Sequence, residues 1–162
     1  MSLPGALHSV VRGFLAGAAG TAAMTVYQLA TRKVRGEPLG TPVPETWEDA
    51  PAPAQVAKRL AELTGRRIAK EQVPWVTQAM HWAYGISWGP AYALVARERD
   101  GSPVPAGLAL GTGVWATSYA QLVPLGTYEE PWRLPPQDLA LDLPFHVVYG
   151  LGVATAYGAL AR

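Results

Sequence analysis

The sequence predicts an all-α membrane protein: a four-helix transmembrane bundle made of two tandem helical hairpins, with a short amphipathic helix in the first loop. Three observations lead there. No Asp, Glu, Lys or Arg occurs from Gly13 to Thr31, from Gln72 to Ala96, from Ser102 to Tyr128 or from Leu143 to Ala161. Each gap meets the roughly 20 residues that a helix needs to cross about 30 Å of hydrocarbon. None of the four segments carries the charged face, recurring about every 3.6 residues, that a helix of a soluble bundle shows. Finally, the second and fourth segments share an ungapped motif at an offset of 65 residues.

The spans fall at about 11–31, 74–96, 105–124 and 143–161, within one domain of 162 residues. Arg12 precedes the first span, whose apolar run continues into Tyr27 and Gln28 without a clear small-x-small cleavage site. That favours a retained helix over a cleaved signal peptide. The extramembrane loop 32–73 opens with a Pro- and Gly-rich stretch, Gly36 to Pro53, which predicts irregular backbone. Ala54 to Thr64 then predicts a short amphipathic helix with Val56, Leu60 and Leu63 on one side, stopped by Gly65. It suits either an anionic membrane surface or packing against the loop. Gly85 and the Gly89-Pro90 pair predict a kink or break in the second span. The third loop, with Glu129, Glu130 and Pro135-Pro136, predicts a rigid acidic cap beside the basic first loop.

Small residues recur every four positions in each span. The stripes are Gly13, Gly17 and Thr21; Gly85 and Gly89; Gly107 and Gly111; and Gly150, Ala154 and Gly158. In lipid, helices associate by van der Waals contact, and small residues let backbones approach. The stripes therefore predict close packing.

The repeated motif is His-x2-Tyr-Gly-x5-Ala-Tyr-x3-Ala-Arg, seven identities in the 17 residues from His81 to Arg97 and again from His146 to Arg162. Gly20-Thr21 echoes Gly111-Thr112 in the first and third spans. Two tandem hairpins follow, related by an axis along the membrane normal.

An ionisable group inside a span is a functional hypothesis by default. His81 and His146 are such groups, at equivalent depth if the repeat holds. Asp142 precedes His146 by one turn, and Thr77 is its counterpart before His81. Tyr84, Tyr149 and Gln78 complete the candidate ligand or proton site. Tyr27, Gln28, Tyr119 and Gln121 also lie in or near spans and suggest a lined interior. Three uses of the histidines stay open: hydrogen bonds that join helices, a ligand or proton site, or ligation of a haem or metal. One His pair without further donors is a poor metal site, so neither metal nor cofactor is expected, with haem on His81 and His146 as the alternative.

The formal net charge is +1, which excludes nucleic-acid binding by bulk charge. The absence of Cys excludes disulfides, thiol catalysis and Cys-ligated metals. No catalytic constellation is visible. Trp75, Trp82, Trp88, Trp115 and Trp132 include candidates for headgroup-level anchors. The termini and second loop carry Arg12, Arg97, Arg99 and Arg162, whereas the first and third loops carry nine basic residues. Positive-inside counting places the first loop in the cytoplasm.

The pattern resembles the YagU-like family of small bacterial inner-membrane proteins of unknown function. The resemblance rests on Gly17-x2-Gly20-Thr21-x2-Met24-Thr25, on His81-x2-Tyr84-Gly85-x2-Trp88-Gly89-Pro90-x-Tyr92, on Pro124-Leu125-Gly126-x-Tyr128 with Trp132, and on Asp142-x3-His146-x2-Tyr149-Gly150. It covers the chain from about Arg12 onward. It implies a multi-pass protein of the bacterial plasma membrane and brings no activity or catalytic residue. The expected function is a non-enzymatic scaffold, partner subunit or envelope-stress factor. The alternatives are a small-molecule binding or transport bundle, possibly homo-oligomeric, and a haem-binding electron carrier. The expected partners are membrane lipid and a second copy or another membrane protein.

Overall fold

A computed structural model describes residues 3–96 and 102–160, with side chains from Leu7 onward. Arg97, Arg99 and Arg162, used in the topology count, lie outside the described residues, as does the Ala161 of the repeat. The described residues form five α-helices and no strand: α1 (Leu3–Arg35), α2 (Ala52–Leu63), α3 (Val73–Val95), α4 (Val104–Leu122) and α5 (Pro136–Leu160).

Proline starts these helices and glycine ends two of them. Pro lies at or within the first two positions of α2, α3 and α4, where its fixed φ suits a helix and its missing N–H costs nothing. Gly36 and Gly65 end α1 and α2 at φ +69° and +70°. That left-handed backbone lets the Glu37 and Arg66 amides reach back to the carbonyls of Arg32 and Ala61, both at 2.9 Å. The break expected at Gly89-Pro90 is absent: α3 runs unbroken with Pro90 inside it. Pro90 faces α1 at Gly13, where a Cβ would stand 2.8 Å from the Pro90 nitrogen.

The four long helices pack as a succession. α3 lies on α1, α1 on α5, and α5 on α4, while α2 covers the start of α3. No comparable packing joins α3 to α4. The contacts are antiparallel and made largely by backbone. A Cβ built on Gly13 would stand 2.7 Å from the Gly89 carbonyl oxygen, and one on Gly17 the same distance from that of Ile86. A Cβ on Gly107 would stand 2.9 Å from Leu151 Cα, and one on Gly111 would collide with the His146 carbonyl. Gly85, Gly89 and Gly150 are equally closed, by Thr21, Gly13 and Gly107 respectively. The stripes thus fall at helix contacts, with one correction. Gly158 is exposed and has nothing within 4 Å, because the α5 contact ends at Ala154 and Tyr157. Gly20 and Gly152 instead seat α1 on α5, where a Cβ on Gly152 would lie 3.0 Å from Gly20 Cα.

The largest side chains that are fully buried are Val73, Val153 and Thr21, and Tyr149, Tyr119, Tyr157 and Met24 are buried almost as deeply. Large apolar side chains point outward, among them Leu7, Val11, Phe14, Leu15, Val26 and Leu94. A water-soluble bundle would bury this surface. Two helices are long and apolar enough to cross a membrane, α1 from Leu7 and α5. The expectation of four spans is met to that extent. α3 and α4 are uncharged and of 23 and 19 residues, long enough at about 1.5 Å per residue, but are not among the helices whose hydropathy suffices for a span. The polar residues that lower their hydropathy, such as Thr77, Gln78, His81, Ser118 and Gln121, face inward to a cavity.

Closing these contacts to an extra methyl has a measurable consequence. Gly17→Ala or Gly107→Ala should destabilise by overpacking, about 1–3 kcal/mol. In detergent this lowers Tm by about 3–10 °C, at roughly 2–4 °C per kcal/mol for a chain of this size. Gly113→Ala and Gly158→Ala, both in open space, should leave Tm unchanged or raise it slightly through helix propensity. Equal behaviour of the two groups would refute the backbone-contact account.

Candidate functional site

Between the long helices lies a cavity of about 440 Å³. It occupies the half of the bundle nearest the first and third loops, where α1 and α4 end and α3 and α5 begin. Leu39, Thr41, Pro51, Pro53 and Val56 of the first loop and α2 border it, as do Leu125 and Tyr128 of the third loop. All six residues of the sequence-derived site, His81, His146, Tyr84, Tyr149, Asp142 and Gln78, line this one cavity.

Each helix contributes at the spacing i, i+4, i+7. The sets are Thr21, Thr25 and Gln28 on α1; Thr77, His81 and Tyr84 on α3; Val114, Ser118 and Gln121 on α4; and Asp142, His146 and Tyr149 on α5. That spacing places three side chains on one helix face. Apart from Val114 every member is polar, so each long helix turns a polar stripe inward and an apolar surface outward. Thr21, Thr25, Ser118 and Tyr128 were not singled out for the site from sequence. The signal existed in the shared x3-x2 spacing, but Thr and Ser mid-helix resemble ordinary apolar-helix composition. Of the other in-span polar residues, Tyr27 and Tyr119 do not line the cavity. Tyr27 packs edge-on against Phe145 at 5.5 Å, and Tyr119 supports Asp142.

The hydrogen bonds fix most proton positions. Thr21 Oγ1 donates to the Gly17 carbonyl at 2.8 Å, Thr25 Oγ1 to that of Thr21 at 2.8 Å, and Ser118 Oγ to that of Val114 at 2.9 Å. Each satisfies itself on its own helix. Tyr149 crosses from α5 to α3 and donates to the Gly85 carbonyl at 2.6 Å. Tyr84 crosses from α3 to α4 and donates to Gln121 Oε1 at 3.4 Å. His81 Nε2 lies 3.5 Å from Thr25 Oγ1. That hydroxyl donates to the Thr21 carbonyl, so this long contact suits the tautomer with the N–H on Nε2 and Nδ1 as an acceptor. His146 Nδ1 lies 3.1 Å from the Asp142 carbonyl and 3.7 Å from its Oδ1. Nδ1 therefore carries the proton and Nε2 accepts.

Asp142 is the cavity's one carboxylate. Tyr119 donates to its Oδ2 at 3.3 Å from α4. Among the described residues no Lys or Arg lies within salt-bridge distance of it. The Tyr128 hydroxyl, in the third loop, is pushed up to about 12 by burial first, then by the neighbouring Asp142 carboxylate and the Tyr84 phenol. Tyr128 stays neutral at any physiological pH. Arg32, on the loop side, turns its guanidinium to the carbonyls of Pro38 at 3.3 Å and Gly40 at 3.4 Å. Thr77 Oγ1 is buried without a hydrogen-bond partner. Among the described residues no group of three or more His, Asp or Glu is placed to hold a metal.

No protein-family model, curated protein or solved structure matches this chain. The YagU-like resemblance therefore rests on its motif residues alone.

The two interhelical tyrosines differ in a testable way. Tyr149 is buried and its bond short, whereas Gln121 is exposed and the Tyr84 bond long. A net hydrogen bond contributes about 1 kcal/mol, so Tyr149→Phe should lower Tm by about 2–4 °C. Tyr84→Phe should change it by less than half as much. The reverse order, read by thermal melting in detergent, would contradict the assigned partners.

Proposed function

We propose that this chain is a multi-pass protein of the bacterial plasma membrane, with α1, α3, α4 and α5 as its four spans, and that it binds a small molecule in the cavity between them. The observation that carries this reading is the convergence of four polar stripes on one cavity. Buried polar groups are expensive in a bilayer and persist where they meet one another or line a solvated or occupied space. A pure scaffold needs the glycine contacts but has no need of this cavity.

The four-span arrangement is supported by the outward apolar surface and by the exposed Trp75 and Trp132, 80% and 78% accessible. Both stand at the loop end of the bundle, where Trp prefers the headgroup level. The tandem repeat is supported by matching contacts. Gly17 meets Gly85 and Ile86, and Gly107 meets Gly150 and Leu151, the same positions 65 residues on. This register relates Gly17 to Gly107. It shifts by one residue the pairing suggested by Gly20-Thr21 and Gly111-Thr112. Tyr92 and Tyr157, repeat counterparts, meet edge-on at 5.6 Å across the bundle. Positive-inside counting over the first loop favours a cytoplasmic side for the cavity's loop end.

Two measurements test the reading. The chain has no Cys, so Thr64→Cys and Ser102→Cys each create a single label site. In right-side-out vesicles, an impermeant maleimide should label Ser102→Cys and spare Thr64→Cys until the vesicles are opened. Labelling of both from one side would exclude the four-span topology. In a thermal-shift screen of small polar and amphiphilic compounds, a ligand at about 100 times its Kd should add about 2.7 kcal/mol. That corresponds to roughly 5–10 °C in Tm. The shift should vanish in Gln78→Trp, which fills the cavity. No concentration-dependent shift with any compound would leave the scaffold reading in its place.

A further inference from the structure

We infer that the cavity recognises a protonated amine carried on a small apolar body, with the ammonium group held at Asp142. This deepens the small-molecule reading above and rests on it. Three observations lead to this class. The hydroxyls of Thr21, Thr25, Ser118, Tyr84 and Tyr149 all donate to protein carbonyls, so they turn only lone pairs toward an occupant. Both imidazoles spend their N–H on the protein and keep one acceptor nitrogen each. These groups turn acceptors to the cavity beside the Asp142 carboxylate. The side-chain amides of Gln28, Gln78 and Gln121 and the Thr77 hydroxyl also line it and can donate. The acceptors suit a group made of donors. An ammonium offers three donors and no acceptor.

Charge points the same way. Asp142, its side chain 30% exposed, faces the cavity without a Lys or Arg partner. A partly buried carboxylate facing such a cavity is stabilised by a counter-charge. The nearest basic group is His146, whose Nδ1 bonds the Asp142 carbonyl at 3.1 Å and stands 3.7 Å from Asp142 Oδ1, a long contact that leaves the carboxylate room for a closer cation. The cavity's one permanent cation, Arg32, is turned to the loop carbonyls. Tyr84, Tyr128 and Tyr149 line the same space as Asp142, and aromatic faces attract a desolvated cation. Met24, Met80, Val114 and Leu125 supply the apolar wall for the rest of the ligand.

Three probes of similar shape test this with the full chain in a non-ionic detergent at neutral pH. They are phenethylamine, 2-phenylethanol and 3-phenylpropionate, with saturable binding read by tryptophan fluorescence and by thermal shift. The amine should bind at least 10-fold more tightly than the alcohol, and the carboxylate more weakly still. Asp142→Asn keeps an acceptor for Tyr119 and should weaken the amine 10-fold or more while leaving the alcohol unchanged. Tyr128→Leu should weaken the amine several-fold, and Tyr128→Phe should restore it, because the ring is what attracts the cation. Equal affinity for amine and alcohol, tighter binding of the carboxylate, or an indifferent Asp142→Asn would overturn the inference. If the amine fails while neutral compounds shift Tm, the cavity reading stands and its ligand class is wrong. If no compound binds, both readings fall.

Discussion

Everything in this fold depends on backbone touching backbone at glycine. Along α1, Gly13, Gly17 and Gly20 take contacts from α3 and α5 in turn, and Gly107 and Gly111 of α4 do the same for α5. These positions share one half of the bundle, away from the first and third loops. In the other half, the facing residues are Thr, Gln, His and Tyr, and a cavity replaces the contact. One set of helices thus serves two purposes along its length. The closed half holds the helices together by dispersion at short range, with Val153, Tyr92 and Tyr157 packed among the glycine contacts. The open half is free to carry polar groups because it bears little of the packing.

Much of this was legible in the sequence, for reasons that differ by feature. Charge-free segments and glycine spacing are local signals, so the four long helices and most of the contact glycines could be read directly. The six site residues were legible because ionisable and aromatic groups stand out in an apolar segment. Gly158 misled because a four-residue spacing says nothing of where the partner helix ends. At Gly89-Pro90 the helix continues through the proline, so of the kink or break expected there the break does not occur. The polar stripes of Thr21, Thr25 and Ser118 escaped notice because such hydroxyls bond their own helix. Only the three-dimensional arrangement shows which side faces the cavity.

The comparison of the two halves is informative at the site itself. His81, Tyr84 and Gly85 match His146, Tyr149 and Gly150, but Thr77 stands where the second half has Asp142. The halves supply alike the imidazole and phenol that shape the cavity. They differ in charge, and the difference gives the cavity one polarised end. Thr77, with its buried and unpartnered hydroxyl, is the uncharged counterpart.

The missing interface between α3 and α4 sets the mechanics of the molecule. Among the described residues, three of the four neighbouring helix pairs are locked by backbone contact, and the fourth is bridged by the Tyr84–Gln121 hydrogen bond. Dilation along this seam breaks one long, partly exposed bond and separates no glycine pair. Any other way of widening the bore must pull apart close-packed backbones. The bundle is therefore a clamp with a single compliant edge, stiff around α1 and α5 and yielding where α3 faces α4.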